Sequence, residues 1–333
     1  RTDHKIKEKK IMLNFSVVGV GSFGVKRAKA IKECKNANLD SVCDKSPENA
    51  NKAKSILNVD IKSFEEVLND KNIHVICICT PNKFHLPLIK DALNAGKHVF
   101  CEKPLCRNFQ EAQEIYNISK KSKTIFQMGS NHRYFESVMY AKKLLDEKEI
   151  GEVLSFSGRI GHNGERLKDT WFWNKDLSGG GTLLDNGCHL LELSRFFMGE
   201  FVSGGGNVSN SYWKNIDVED TANGFFKTKD GKTASIFCSW RLLSGYFFFE
   251  LNGTDGYINV DGRFDTHGGD KIFWYNKKKD KILSKDFSKI KPQSYKLEME
   301  KLIETILNNK QPSPSAKDGL EVMRMIDFIY SAR

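Results

Sequence analysis

The sequence predicts an α/β chain: a doubly wound parallel sheet at the N-terminus, then an α+β portion with a mainly antiparallel sheet. Three observations predict it. Between Phe15 and Asn131, apolar runs of strand length alternate with helical stretches, the pattern of a parallel sheet covered on both faces. The first run, "FSVVGVGSFG", breaks into glycines as it opens a helix. Beyond Asn131 strands dominate, and "KDG", "TDG" and "VDG" between them carry hairpin turn chemistry. The expected division is therefore residues 12–131 and residues 132–333, with the closing helix packing back on the first part.

The elements read in order. "VKRAKAIKECK" is a helix, and "NLDSVCD" a second strand ending at Asp44. "SPENANKAKSIL" is a helix with Ser46 as N-cap and Pro47 at its first position. "HVICICT", "KHVFCE" and "TIFQMGSN" are strands, separated by the helices "HLPLIKDALNAG" and "NFQEAQEIYNISKKS". A helix over Phe135–Glu147 leads to the strand "GEVLSFSGRIGH". A helix from Leu183 to Phe197 then interrupts a series of strands, "TANGFFKTKDG", "TASIFCSW", "GYFFFELNGTDGYINVDG" and "KIFWYN". Two helices, "SYKLEMEKLIETILNN" and "DGLEVMRMIDFIYSA", close the chain. Residues 1–11 read as a polar lead-in, with Met12 as the natural start.

Composition narrows the function classes. With 333 residues and 39% apolar content the chain can bury substantial cores. No apolar run reaches membrane-spanning length, and the polar start has no secretory core segment. The net charge of +10 comes from lysines scattered over helix faces, without the basic-aromatic pattern of a nucleic-acid binder. None of the eight cysteines forms a CxxC pair, so no metal is expected, and scattered thiols point to a reducing, cytoplasmic setting.

Gly19, Gly21 and Gly24 form G-x-G-x-x-G between a strand and a helix, with Asp44 twenty residues further on at a strand end. Glycine admits a pyrophosphate close to the backbone, and the helix N-terminus attracts its charge. Asp44 can accept hydrogen bonds from ribose hydroxyls and would repel a 2′-phosphate, so NAD is expected over NADP. Ligands of such sheets lie beyond the carboxyl ends of the strands. The expected cofactor contacts are therefore Gly19, Gly21, Ser22, Phe23, Gly24, Asp44, Thr80, Asn82, His85, Glu102 and Lys103.

"EKP" follows another strand, which aims Lys103 at the same edge, where an ammonium can stabilise a developing alkoxide. "GGGTLLDNGCHLLEL" places Asp185 and His189 four residues apart, on one face of a regular helix. A carboxylate one turn from an imidazole can fix its tautomer and raise its basicity, as a general base requires.

These motifs, with "CTPNKFH" and "PSPSAKDGLEVMRMIDFIYSA", resemble the Gfo/Idh/MocA oxidoreductases from Met12 to the C-terminus. The resemblance implies a Rossmann domain followed by an open-sheet domain that commonly serves as an oligomer interface. It implies that Lys103, Asp185 and His189 are catalytic: His189 takes the hydroxyl proton, Lys103 polarises the hydroxyl, and Asp185 orients His189 or binds a second hydroxyl. Glu192 stands where many relatives have aspartate, and Phe172 where an arginine is common.

For the substrate, "SGRIGHNGERLKDTWFWNKD" interleaves Arg159, His162, Arg166, Lys168 and Lys175 with Trp171 and Trp173. Aromatic faces suit sugar C–H surfaces, and cations suit phosphate or carboxylate. Arg133, His162, Arg166 and Trp171, with Lys103, Asp185 and His189, are the expected substrate contacts. The reading is an NAD-dependent oxidoreductase acting on a secondary hydroxyl or ketone of a sugar, cyclitol or nucleotide-activated sugar. Its rivals are a glycosidase that recycles bound NAD and a non-catalytic NAD sensor. A homodimer or homotetramer is expected, with no nucleic-acid or membrane partner.

Overall fold

A computed structural model describes residues 11–262 and 270–332. The lead-in, apart from Ile11, lies outside the described residues. The first half alternates β1 (Leu13–Val18), α1 (Ser22–Lys32), β2 (Ala37–Cys43), α2 (Pro47–Leu57), β3 (Asp60–Ile61), α3 (Phe64–Asn69), β4 (Val75–Ile78), α4 (His85–Asn94), β5 (His98–Cys101), α5 (Phe109–Lys121) and β6 (Phe126–Met128). Its six strands are parallel, in the order β3-β2-β1-β4-β5-β6. Strand order reverses between β1 and β4, the switch point where such sheets open a crevice. Both faces are covered, which is why β1 and β4 are almost continuously apolar and buried. Ser46 caps α2 by accepting from the Asn49 amide at 3.3 Å, with Pro47 in the first turn.

The second half contains α6 (Glu136–Asp146), β7 (Val153–Asn163), α7 (Lys175–Ser178), a π-helical turn (Leu183–Gly187), α8 (Cys188–Met198), β8 (Phe201–Ser209), β9 (Thr221–Thr228), β10 (Thr233–Ser239), β11 (Arg241–Gly253), β12 (Gly256–Gly262), β13 (Lys271–Asn276), β14 (Lys281–Asp286), α9 (Ser294–Leu307) and α10 (Ala316–Ser331). Its eight strands run β14-β13-β12-β11-β7-β10-β9-β8. All neighbours are antiparallel except β7 and β10. The "KDG" and "TDG" turns fall between strands as expected, whereas "VDG" lies within β12.

One face of this sheet packs under α8 and α10; the other lies open. In β9, Phe226 is buried while its neighbour Phe225 is 65% exposed, the alternation a strand imposes on a one-sided sheet. Met299, Leu302 and Ile303 of α9 join the core formed by Phe15, Val17 and Ile31 beneath the first sheet. Gly319 of α10 lets Leu105 and Met128 approach closely. The two closing helices thus pack on the first sheet and its helices. Among the described residues, no helix is long and apolar enough to cross a membrane.

Candidate active site

The glycine turn forms as the motif requires. Gly19 has φ +87°, and a Cβ there would lie 2.8 Å from the main chain of Cys79. A Cβ at Gly24 would lie 1.9 Å from Gly19 O, so only glycine lets α1 start this close to β1. Asp44, one residue beyond β2, accepts from the Val20 amide at 2.7 Å and the Ser46 amide at 2.8 Å, and so braces the turn. The first turn of α1 has no side-chain cap, the space above Gly21 is open, and Thr80 Oγ1 is buried with no hydrogen-bond partner. Uncapped amides, open space and an unmet hydroxyl beside the turn fit a dinucleotide.

A cleft runs from this turn to the second half. Phe23, Thr80, Asn82, Glu102, Lys103, Trp171, Phe172 and Asp185 line it. Glu102 is held by Arg27, which is fully buried between the Phe100 and Tyr295 rings and also pairs with Glu298 at 2.8 Å. Asn82 is buried and donates to Ser178 O at 2.7 Å, tying the β4 edge to the entry of the glycine run before the π-helical turn.

Lys103 and Asp185 meet at the cleft floor. Lys103 Nζ donates to Asp185 O at 2.7 Å and to Oδ1 at 3.2 Å. Asp185 Oδ2 accepts from Trp240 Nε1 at 3.0 Å and lies 3.1 Å from His162 Nε2, which must carry a proton to face a carboxylate. Burial alone would raise the Asp185 pKa, but Lys103, His162 and Trp240 hold it well below the usual carboxylate range. Burial alone would lower the Lys103 pKa, but Asp185 raises it above the ordinary value. The pair is therefore charged at neutral pH.

His189 sits elsewhere than its spacing implied. The Asp185 carboxylate faces Lys103, His162 and Trp240, while the His189 ring packs edge-on to His132 with centroids 3.6 Å apart. Asp185 orients His162 rather than His189. Burial, then His132 and Lys103, push the His189 pKa well below its ordinary value, so its imidazole is neutral. It borders Lys103 on the inner side of the cleft floor.

Two expected contacts, His85 and Arg133, are engaged in the fold. His85 is buried, with Nε2 2.9 Å from Thr80 O and Nδ1 3.1 Å from Pro104 O, so carbonyls occupy both nitrogens and the ring braces the loop behind Lys103. Arg133 is buried against Glu192, Ser313 Oγ and the Phe196 ring, because an unpaired guanidinium at that depth would be costly. Arg159 lies on the open sheet face over Phe237 and Tyr246, away from the cleft. Arg166, Lys168 and Lys175 are exposed and do not line the cleft. Sequence reasoning missed Trp240, which carries no motif; Phe172, singled out there as a departure from the family pattern, stacks on Trp171 at 4.0 Å in the cleft wall.

The described residues hold no group of three or more His, Cys, Asp or Glu placed to bind a metal ion.

Comparison with known proteins bears on the family and the fold. The Gfo/Idh/MocA model described as "Oxidoreductase family, NAD-binding Rossmann fold" matches residues 13–130, and the model of that family's C-terminal domain matches residues 138–259. The 2,7-anhydro-N-acetylneuraminate hydratase of Escherichia coli (strain K12) is 31% identical over 75% of this chain and 68% of its own. Inositol 2-dehydrogenase of Rhizobium meliloti (strain 1021) is 25% identical over 95% of both chains. A solved structure of levoglucosan dehydrogenase with NADH and levoglucosan superposes with TM-score 0.87 at 22% identity, over 96% of each chain, which shows a shared fold. The six-stranded parallel sheet with its glycine turn, the large second sheet and both family models lead to one conclusion: the chain belongs to the Gfo/Idh/MocA family of NAD-binding oxidoreductases.

Proposed function

We propose that the protein transfers hydride between NAD and a secondary carbinol of a neutral sugar, cyclitol or anhydrosugar. The observation that carries this reading is the charged Lys103–Asp185 pair at the floor of a cleft that begins at the dinucleotide turn. NAD, when bound, supplies the hydride acceptor. Lys103 Nζ donates a hydrogen bond to the reacting oxygen and stabilises its negative charge as the C–H bond opens. His189, neutral and beside Lys103, takes the hydroxyl proton at an imidazole nitrogen. Asp185 keeps Lys103 protonated and holds His162 through Nε2, leaving the buried Nδ1, which has no hydrogen-bond partner, to a neighbouring hydroxyl.

Charge favours a neutral substrate over a nucleotide-activated one. Lys103 is the one cationic side chain among the described cleft-lining residues, and Asp185 neutralises it. Relatives named for inositol and levoglucosan support that class. Assay of NADH formation at 340 nm with myo-inositol, levoglucosan, free aldoses and UDP-sugars tests the reading. Turnover confined to UDP-sugars would overturn the neutral-substrate assignment.

A second reading is net addition or loss of water with no net NADH. Three imidazoles, His132, His162 and His189, are buried around Lys103 and Asp185. One proton acceptor suffices for hydride transfer alone, whereas elimination and hydration need additional acid–base groups. A relative named as a hydratase supports it. Incorporation of 18O from labelled water into product, without NADH accumulation, distinguishes the two.

The open sheet face exposes Phe225, Phe273 and Ile282, which supports self-association; a monomer in sedimentation analysis would refute that. The buried free thiols support a reducing compartment.

A further inference from the structure

Asp185 rides on a segment that is pinned from outside the cleft. Glu219, just before β9, is buried, and its carboxylate caps the start of the π-helical turn. Oε2 accepts from the Gly181 amide at 3.0 Å and Oε1 from the Leu183 amide at 3.0 Å. The Thr182 amide donates to Glu219 O at 3.0 Å. Tyr330, near the end of α10, donates its hydroxyl to Glu219 Oε1 at 3.0 Å. The glycine run exists to admit these groups: a Cβ at Gly180 would lie 2.1 Å from the Tyr330 hydroxyl, and one at Gly181 would lie 2.0 Å from Glu219 O. The Asp185 amide in turn donates to Gly181 O at 3.0 Å. The path from Tyr330 to Asp185 is thus a short run of hydrogen bonds through one carboxylate and one turn of backbone.

We propose that Glu219 and Tyr330 are positioning residues that set where Asp185 stands relative to Lys103 and His162, so that the last helix of the chain governs the charge state of the active-site lysine. Neither side chain lines the cleft. The role presupposes the reaction proposed above only in the importance it gives that pair. Two amides and a phenol fix the carboxylate in three directions, which is more than a capping side chain provides by one contact. Loss of the phenol leaves Oε1 with one donor and frees the glycine run to move toward the gap. A move of the turn by a fraction of an ångström lengthens the Lys103–Asp185 contact and lowers the lysine's affinity for its proton.

The test needs no substrate. Full-length wild type, Tyr330→Phe and Glu219→Gln are labelled with acetic anhydride at pH 9, and the rate at Lys103 is read by peptide mass spectrometry against Lys26 and Lys83. Only the deprotonated amine reacts. The rate at Lys103 should rise roughly threefold in Tyr330→Phe and roughly tenfold in Glu219→Gln, corresponding to about half and one unit of pKa, with the reference lysines unchanged. If Glu219→Gln fails to fold, the milder Tyr330→Phe decides the matter. A purely structural role predicts a lower melting temperature with Lys103 labelling unchanged in folded protein, and that result would overturn the proposal. Faster labelling in an enzyme that oxidises none of the sugars tested would leave the clamp standing and sink the reaction instead.

Discussion

The Lys103 ammonium lies 2.7 Å from the main-chain oxygen of Asp185 and 3.2 Å from its carboxylate, so the strand edge of one sheet and the helical turn above the other are joined by a charged contact at the cleft floor. Both side chains are mostly buried, 16% and 10% exposed, which makes the contact costly to break from one side only. Each protonation state supports the other: the lysine is held charged by the carboxylate and the carboxylate by the lysine.

Lys103→Ala should lower kcat by about 10²–10³, the usual cost of removing one donor to a developing oxyanion, while NAD affinity stays within about threefold. Titration calorimetry and 340 nm kinetics on the same preparation check both halves. Equal loss of NAD binding and of turnover would place Lys103 in cofactor binding alone.

Asp185→Asn should act on Lys103 as well as on His162. Without the carboxylate, burial dominates at Lys103 and its pKa falls. Turnover should fall by about 10²-fold, and the alkaline limit of activity should move to lower pH. An unchanged alkaline limit would mean that Asp185 does not set the lysine's charge.

The pH profile follows from His189. Its pKa is depressed by burial, so the neutral, proton-accepting form persists below the ordinary value of 6.5. The acid limb of kcat/KM should lie below pH 6.5 and be lost in His189→Ala. The base must be reassigned to His162 if His162→Ala removes that limb and His189→Ala leaves it in place.

Asp44→Ser should raise the ratio of kcat/KM for NADP over NAD by about tenfold, because a carboxylate at the end of β2 repels a 2′-phosphate. Its bonds to the Val20 and Ser46 amides predict an accompanying rise in KM for NAD. A ratio that stays constant would place selectivity elsewhere, Lys45 being the adjacent cation.

Arg27 serves two carboxylates, Glu102 and Glu298, and burial pushes the Glu298 carboxyl up to about 7 despite that partner. The sign is that of a raised acid. The folded state binds more protons than the unfolded state between pH 4.5 and 7, so this group's contribution to stability falls as pH rises through that window. The slope of melting temperature against pH between 5 and 8 should flatten in Glu298→Gln; an identical slope would show that Glu298 ionises normally.

Much of this was legible in the sequence where local chemistry dictates structure. The glycine turn, Asp44, the strand before Lys103 and the cap at Ser46 all follow from backbone rules that act over a few residues. β8 was not legible: the glycines of "FVSGGGNVS" leave no alternating apolar pattern, yet they let the strand close on β9, where a Cβ at Gly206 would lie 2.0 Å from Asn223 O. β14 hid because this edge strand, with one partner, is mostly exposed and has only two adjacent apolar residues, Ile282 and Leu283, with no alternation. In the site, the spacing of Asp185 and His189 suggested a contact, but the Asp185 carboxylate turns to Lys103, His162 and Trp240 while the His189 ring packs on His132. His162, Trp240, Glu219 and Tyr330 reach this segment from distant parts of the chain, and such partners leave no local pattern.

Single-turnover stopped-flow absorbance at 340 nm tests the central claim most directly, with enzyme in excess over NAD and myo-inositol, levoglucosan or a free aldose added in turn. Hydride transfer at the Lys103–Asp185 floor predicts a rise approaching one NADH per NAD with at least one of these substrates, abolished in Lys103→Ala, whether or not the hydride is later returned. A flat trace for every substrate, from enzyme shown by calorimetry to bind NAD, would contradict it.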